Sequence, residues 1–292
     1  STLGHSVGEV AAAWAAGALS LEQAVRVIYE RSHAQGKTRG QGRMAAASLG
    51  LVAMQAKLNA LGLQERVEIA GSNSPNGVTL SAPLADLEIL KDVFEQDKVF
   101  FRILDLDYAF HSHWMDSTQA DLLNALGDLQ PLNADSGIQF VSTVYGRVMA
   151  GSELTADYWW QNIRQPVDFE AGMNVLLEQG IKVFLEIGPH PILRSYINEC
   201  MAAKAVAGTS LASDQRHAET AYTAKRAAYR AWLAGCAIDL YQLFPQGGNF
   251  IQLPNYPWQR ERYWYPLTNE GPNLVNRQRI HPLLGYRLKD AE

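Results

Sequence analysis

The chain has 292 residues, of which 47% are hydrophobic and 19% charged, with a formal net charge of −5. That length supports about two domains with sizeable cores, and the composition is that of a globular protein without the basic footprint of a nucleic-acid binder. Only Cys200 and Cys236 occur, without C-x-x-C spacing, which suggests neither a disulfide framework nor a structural zinc site and fits a reducing cytoplasm; no apolar run nears the roughly 20 residues of a membrane span, and no secretory signal is read.

The chain opens STLGHSVGEVAAAW. Ser6 stands between Gly4 and Gly8, ahead of a segment that reads as a helix ending near Gly17. One reading is a nucleophile elbow, in which the serine occupies a tight strand-to-helix turn, flanking glycines permit close backbone approach, and the helix N-terminus favours negative charge. The other is an ordinary helix N-cap, for which serine is also preferred. The side chain of His5 is expected to point away across the turn. An elbow needs a strand of about five or six residues before it, and only STLG precedes His5, so the chain is expected to begin inside a strand of a larger domain.

SLEQAVRVIYERSHAQ reads as a second helix, with Ser20 and Gln23 as a capping box and GKTRGQG ending it. On this helix Leu21, Ala24, Val25 and Ile28 recur at helical spacing, and Arg31 continues their stripe. A buried arginine means a buried ion pair or an anion ligand. Its planar guanidinium suits a carboxylate, which it can hold through two parallel hydrogen bonds.

GRMAAASLG, RVEIAGSNSP, GVTLSAP and KVFFRILDLD then read as strands, with LVAMQAKLNALG and PLADLEILKDVFEQD as helices between them. The order β-α-β-β-α-β predicts a ferredoxin-like unit over residues 44–107. YAFHSHWMDSTQADLLNALG returns to helix. Its His111 is the candidate base for Ser6, because it follows the last strand of that unit, at a junction where catalytic groups converge; the alternative is a structural histidine at a helix start. QFVSTVYG and KVFLEIG read as buried strands of an α/β layer. After about residue 206, AETAYTAKRAAYRAWLAG reads as one long helix, the Pro- and aromatic-rich LPNYPWQRERYWYPL as an interdomain linker, and the tail as the start of another unit.

GHSVGE, ERS and YAFHS together make the sequence resemble the acyltransferase domain of modular type I polyketide synthases and fatty acid synthases, the malonyl-CoA:acyl carrier protein transacylase family. GHSVGE is similar to the family's GHSxGE, ERS to its substrate-arginine motif, and YAFHS to its HAFHS or YASHS segment. VSTVYG, YWWQNIRQPVDF and FLEIGPHPIL are similar to further family stretches in the same order. LPNYPWQRERYW resembles the post-acyltransferase linker, and HPLLG resembles the opening of a polyketide dehydratase domain. The resemblance covers essentially the whole chain.

It implies an α/β fold: a hydrolase-like large subdomain over 1–43 and 108–206, lacking its N-terminal part, with an inserted ferredoxin-like small subdomain over 44–107. A linker over 207–266 and the start of a dehydratase-like domain over 267–292 follow. It also implies ping-pong transfer of a malonyl-type unit from malonyl-CoA to the phosphopantetheine arm of an acyl carrier protein, with no bound cofactor. Neighbouring ketosynthase and dehydratase domains of the same polypeptide are the other implied partners. In that scheme Ser6 is the nucleophile, His111 the base and Arg31 the carboxylate clamp. The Val7 N–H is one oxyanion donor, and Asn162 matches the position whose backbone carbonyl orients the histidine.

The family's second oxyanion donor lies well before the nucleophile, so residues 1–292 alone are expected to be inactive and poorly folded, with Val10, Ala13 and Trp14 exposed. Tyr108, Ala109, Phe110 and His111 mix the malonyl-type HAFH with the methylmalonyl-type YASH. Phe110 fills space that an α-methyl group needs, and Val7 is not the glutamine often found in methylmalonyl enzymes, which favours malonyl over methylmalonyl. Two rivals remain at this point. A serine thioesterase or esterase would use the order Ser, acid, His, with Asp116 or Glu186 ahead of His190. An inactive docking scaffold in a megasynthase would do no chemistry.

Overall fold

The opening residues form a short strand, β1 (Thr2–Leu3), that turns into helix α1 (Gly8–Ala15). Gly17, at φ 76°, ends α1: its N–H bonds Trp14 O while that of Ala18 bonds Ala13 O. This is the paired arrangement that satisfies a helix's last carbonyls and needs a left-handed residue. Helix α2 (Leu21–Gly36) starts in the predicted capping box, with Ser20 Oγ accepting from the Gln23 N–H and Gln23 Oε1 accepting from the Ser20 N–H. The computed structural model describes residues 1–133, 136–216, 223–261, 263, 279–281, 283 and 285–286. Contacts divide the chain into two compact units, Ser1–Leu243 and Phe244–Glu292.

In the first unit, β2 (Arg43–Ala47), α3 (Leu51–Ala60), β3 (Glu68–Ser74), β4 (Gly77–Ala82), α4 (Leu84–Gln96) and β5 (Phe101–Ile103) follow in the predicted order. Antiparallel pairing of β5 with β2, β2 with β4 and β4 with β3 gives the strand order of a ferredoxin-like sheet. Alternate residues of β2 and β4 and one face each of α3 and α4 close a separate core around Met54, Leu80, Leu87 and Phe94.

The segment after β5 forms no helix or strand through Ser112 and becomes helical only at His113, first as a 3-10 turn (His113–Thr118) and then as α5 (Gln119–Leu126). The helix expected from Tyr108 onward therefore starts later, because His111 adopts φ 58°, outside the right-handed helical region. Next come β6 (Phe140–Ser142), β7 (Arg147–Met149), α6 (Ala156–Arg164), β8 (Val167–Asp168), α7 (Phe169–Glu178), β9 (Val183–Glu186), α8 (Arg194–Ala203), β10 (Thr209–Ala212), α9 (Thr223–Leu233) and α10 (Leu240–Leu243). QFVSTVYG contributes only the three residues of β6 as strand, since Thr143–Gly146 turn back into β7.

β1 pairs in parallel with β6, and β9 in parallel with β10. β8 joins the other sheet, parallel to β3, and so extends it to five strands. This pairing ties the chain after α6 to the ferredoxin-like sheet. At Gly71, opposite Val167, a Cβ would come within 3.1 Å of the Val167 carbonyl, so β3 and β8 meet closely.

α2 packs on α1, α5 and α6 and buries Ala24, Val27, Arg31, Ala34 and Gln35. Leu21, Val25 and Ile28 are exposed, so the stripe expected to be buried is turned outward. Ala24 and Arg31 belong to both stripes, and α2's small residues let it approach its neighbours on the other side. Arg31 is thus buried as expected, beside a different set of residues. Val10 and Ala13, expected to be uncovered, are fully buried, and only Trp14 stays half exposed.

In the second unit, residues 244–261 form no helix or strand, and β11 (Arg279–His281) pairs with β12 (Gly285–Tyr286) as a small antiparallel ladder. Most of the expected dehydratase-like start at 267–292, and residues 218–222 of the expected long helix, lie outside the described residues. Among the described residues no helix is long and apolar enough to cross a membrane.

Candidate active site

Ser6 sits in the turn between β1 and α1 at φ 53°, a left-handed conformation that costs a non-glycine residue roughly 1–2 kcal/mol. Gly4 makes the turn possible, because a Cβ there would fall 2.2 Å from Glu9 N and 2.3 Å from Gly8 C. Gly8 plays no such part: a Cβ on it would meet nothing within 4 Å. The close approach expected of both glycines therefore belongs to Gly4 alone, with open space over the first turn of α1. The Val7 N–H lies at the N-cap of α1, among the amides that a helix leaves without partners of its own and that carry the positive end of its dipole.

His111 lies 2.8 Å from Ser6 Oγ through Nε2 and 2.9 Å from the Gln165 carbonyl through Nδ1. A carbonyl can only accept, so Nδ1 carries the proton and Nε2 is bare and accepts from the Ser6 hydroxyl. Burial, reinforced by the charge of Arg31 and the neighbouring His5, pushes the His111 pKa down to about 3. The imidazole is therefore in its base form across the neutral and mildly acidic range. Acylation of Ser6 should stay level from about pH 8 down to about pH 5. A limb falling near 6.5 in single-turnover rates would show His111 titrating like a solvent-exposed histidine.

The orienting carbonyl is the first correction to the expected site: it belongs to Gln165, not Asn162. Gln165 is the C-cap of α6 in extended geometry, ψ 153°, as the following Pro166 demands. Its carbonyl lies beyond the helix ladder and turns toward His111. Asn162, one turn earlier, is 2% exposed and does other work. Its Oδ1 accepts from Arg31 Nε at 3.1 Å, while Nδ2 donates to Glu9 Oε2 at 2.7 Å and to the Ser6 carbonyl at 3.3 Å.

Arg31, 4% exposed, donates from Nη2 to Ser6 Oγ at 2.9 Å and from Nη1 to Gln35 Oε1 at 3.1 Å. All its hydrogen-bond partners among the described residues are neutral oxygens. Burial pulls its pKa down to about 10, opposed by the charge of Glu9, so it stays cationic at neutral pH. Glu9 is fully buried, and its carboxylate accepts from the Thr143 N–H and hydroxyl, the Tyr158 hydroxyl and Asn162. Burial raises its pKa against those bonds. Glu9, Asn162 and Arg31 thus form a buried chain ending on the serine. Glu9 was not singled out from the sequence, where an acid in a helix's first turn reads as an ordinary partner of the dipole.

His5 points away from Ser6, as expected, with Nε2 2.8 Å from Asn73 Oδ1 of β3. Tyr108 and Phe110 stack with ring centroids 4.8 Å apart in the segment leading to His111. Ser81 of β4 fixes that segment by donating to the Phe110 carbonyl. Val7 follows Ser6 and is half exposed.

The residues of the hydrolase alternative go elsewhere. Asp116 pairs with Arg164, Glu186 accepts from the Ile192 and Leu193 N–H groups, and His190 lies near the Arg216 N–H. None of these bonds reaches Ser6 or His111. Among the described residues no cluster of His, Cys, Asp and Glu could hold a metal ion.

Residues 1–237 match the sequence profile of the family described as the acyl transferase domain. The chain is 37% identical over 273 residues to the polyketide synthase GfsB of Streptomyces halstedii, covering 93% of this chain and 5% of that protein. It is 34% identical over 266 residues to erythronolide synthase EryA2 of Saccharopolyspora erythraea, covering 90% of this chain and 7% of that protein. Among solved structures it is similar to the acyltransferase domain from module 8 of the salinomycin polyketide synthase, with 32% identity and a TM-score of 0.77, over 81% of this chain and 55% of that one. The chain therefore spans a small fraction of these curated relatives and about half of that solved chain.

Proposed function

This chain belongs to the acyl transferase domain family, and on that premise we propose that it loads a malonyl unit from malonyl-CoA onto the phosphopantetheine arm of an acyl carrier protein in polyketide assembly. The observation that carries this reading is Arg31: a buried cation, without an acidic hydrogen-bond partner among the described residues, held on the nucleophile's own oxygen. Burying a charge is costly unless it is compensated. A substrate with a free carboxylate beside its thioester supplies that compensation where the acyl group is to be attached.

His111 Nε2 takes the hydroxyl proton as Ser6 Oγ attacks the thioester carbonyl. The Val7 N–H and the positive end of α1 stand where the developing oxyanion forms, the kind of donor whose loss costs about 10²–10³ in rate. Collapse expels the coenzyme A thiolate, which takes the proton from His111 and leaves malonyl as the Ser6 ester. In the second half the carrier's thiol gives its proton to His111 and attacks the ester, and Ser6 leaves with that proton. The domain plan that goes with this assigns 1–43 and 108–206 to the large subdomain, 44–107 to the small one, 207–266 to the linker and 267–292 to a dehydratase-like start. Neighbouring ketosynthase and dehydratase domains would flank it. Phe110, stacked on Tyr108, favours malonyl over methylmalonyl, though one methyl group is worth only about 1–3 kcal/mol of discrimination.

Radiolabelled malonyl-CoA tests the proposal. Label should remain on the protein and pass to a carrier protein when one is added; release as free malonate would make the protein a hydrolase, and no label would make it a scaffold. Arg31→Ala should lower malonyl loading by about 10–150-fold more than acetyl loading, the value of a charged hydrogen bond. Equal loss for both acyl groups would make Arg31 purely structural.

A further inference from the structure

Gln35 lies one turn beyond Arg31 on the buried face of α2 and is 5% exposed. Its Oε1 accepts from Arg31 Nη1 at 3.1 Å. A guanidinium can only donate, so the amide is held with its oxygen toward Arg31 and its nitrogen turned away. That nitrogen, Nε2, is buried and has no partner among the described residues. An apolar side chain would fill the position without leaving two buried donors unpaired.

The amide spans about 2.3 Å from oxygen to nitrogen, so Nε2 stays within about 5.5 Å of Arg31 Nη1. One acceptor oxygen placed between them can take a hydrogen bond of ordinary length from each. We infer that Gln35 is a specificity-determining residue, whose amide N–H is the second donor to the carboxylate that Arg31 binds. This rests on the malonyl-transfer reading above. The carboxylate draws Arg31 Nη2 from Ser6 Oγ, and Gln35 moves with the guanidinium it holds. The ligand class that fits is an acyl thioester with a free carboxylate on the carbon next to the carbonyl. A monocarboxylic acyl group leaves the Gln35 amide unpaired.

The test compares Ser6 acylation by malonyl-CoA and acetyl-CoA, read by intact mass in single turnovers, for the full-length wild-type protein, Gln35→Leu and Gln35→Met. The preference for malonyl over acetyl should fall about tenfold in both variants. Met keeps the unbranched chain and serves if Leu disturbs the packing. Free malonate should also raise the melting temperature of the wild type more than that of either variant. An unchanged malonyl preference, or an equal loss for both acyl groups, overturns the role of Gln35. A wild-type protein that malonyl-CoA fails to label overturns the transfer reading itself, and this inference with it.

Discussion

Alanine at Ser6 is expected to abolish the covalent acyl-protein and to lower malonyl transfer on the order of 10⁶-fold, the loss seen when a nucleophile is removed from a coupled catalytic set. Among the described residues the Ser6 hydroxyl is the one group that both His111 and Arg31 reach, at 2.8 and 2.9 Å. His111→Ala should cost less, about 10²–10⁴-fold, because Ser6, Arg31 and the α1 N-terminus remain. Denatured protein analysed by mass after malonyl-CoA treatment checks both. A Ser6→Ala protein that still carries a malonyl group would place the nucleophile elsewhere.

Gly4→Ala is expected to have the largest effect on folding. The added Cβ would stand 2.2 Å from Glu9 N and 2.4 Å from Glu9 Cα, and backbone at the start of a helix cannot move aside as a flexible side chain does. Relief requires the elbow to open, which would displace Ser6 and the buried Glu9 together. A cost above about 4 kcal/mol is expected. Thermal unfolding should show a loss of more than roughly 8 °C or no cooperative transition. Gly8→Ala is the matched control: with open space at its Cβ, it should melt within about 2–4 °C of wild type. Similar melting temperatures for the two variants would contradict this account of the turn.

How much of this was legible in the sequence depends on whether a residue's role resides in its side chain. The meeting of Ser6 with His111 was legible, because a serine between glycines ahead of a helix calls for a base, and so was the burial of Arg31, although the stripe that pointed to it was not the buried one. The four-strand order was legible too, since strand-like and helix-like segments follow one another as β-α-β-β-α-β between Arg43 and Ile103. The Gln165 carbonyl was not, because a backbone acceptor has no side-chain signature; Pro166 was its only trace. β8 was missed because its two residues pair only with a strand about 95 positions earlier in the chain. The buried face of α2 was misread because its large apolar residues, Leu21, Val25 and Ile28, are on the exposed side, so hydrophobicity pointed to the wrong stripe. Gln35 gave no signal at all, since a lone glutamine near a helix end usually faces solvent.

Peptide mapping of the full-length protein after a single turnover with malonyl-CoA tests the central claim most directly. Malonyl should be found on Ser6 alone and should disappear from it when acyl carrier protein bearing phosphopantetheine is added, reappearing on the carrier. Malonyl on any other residue, or its loss from Ser6 as free malonate before the carrier is added, would contradict the account.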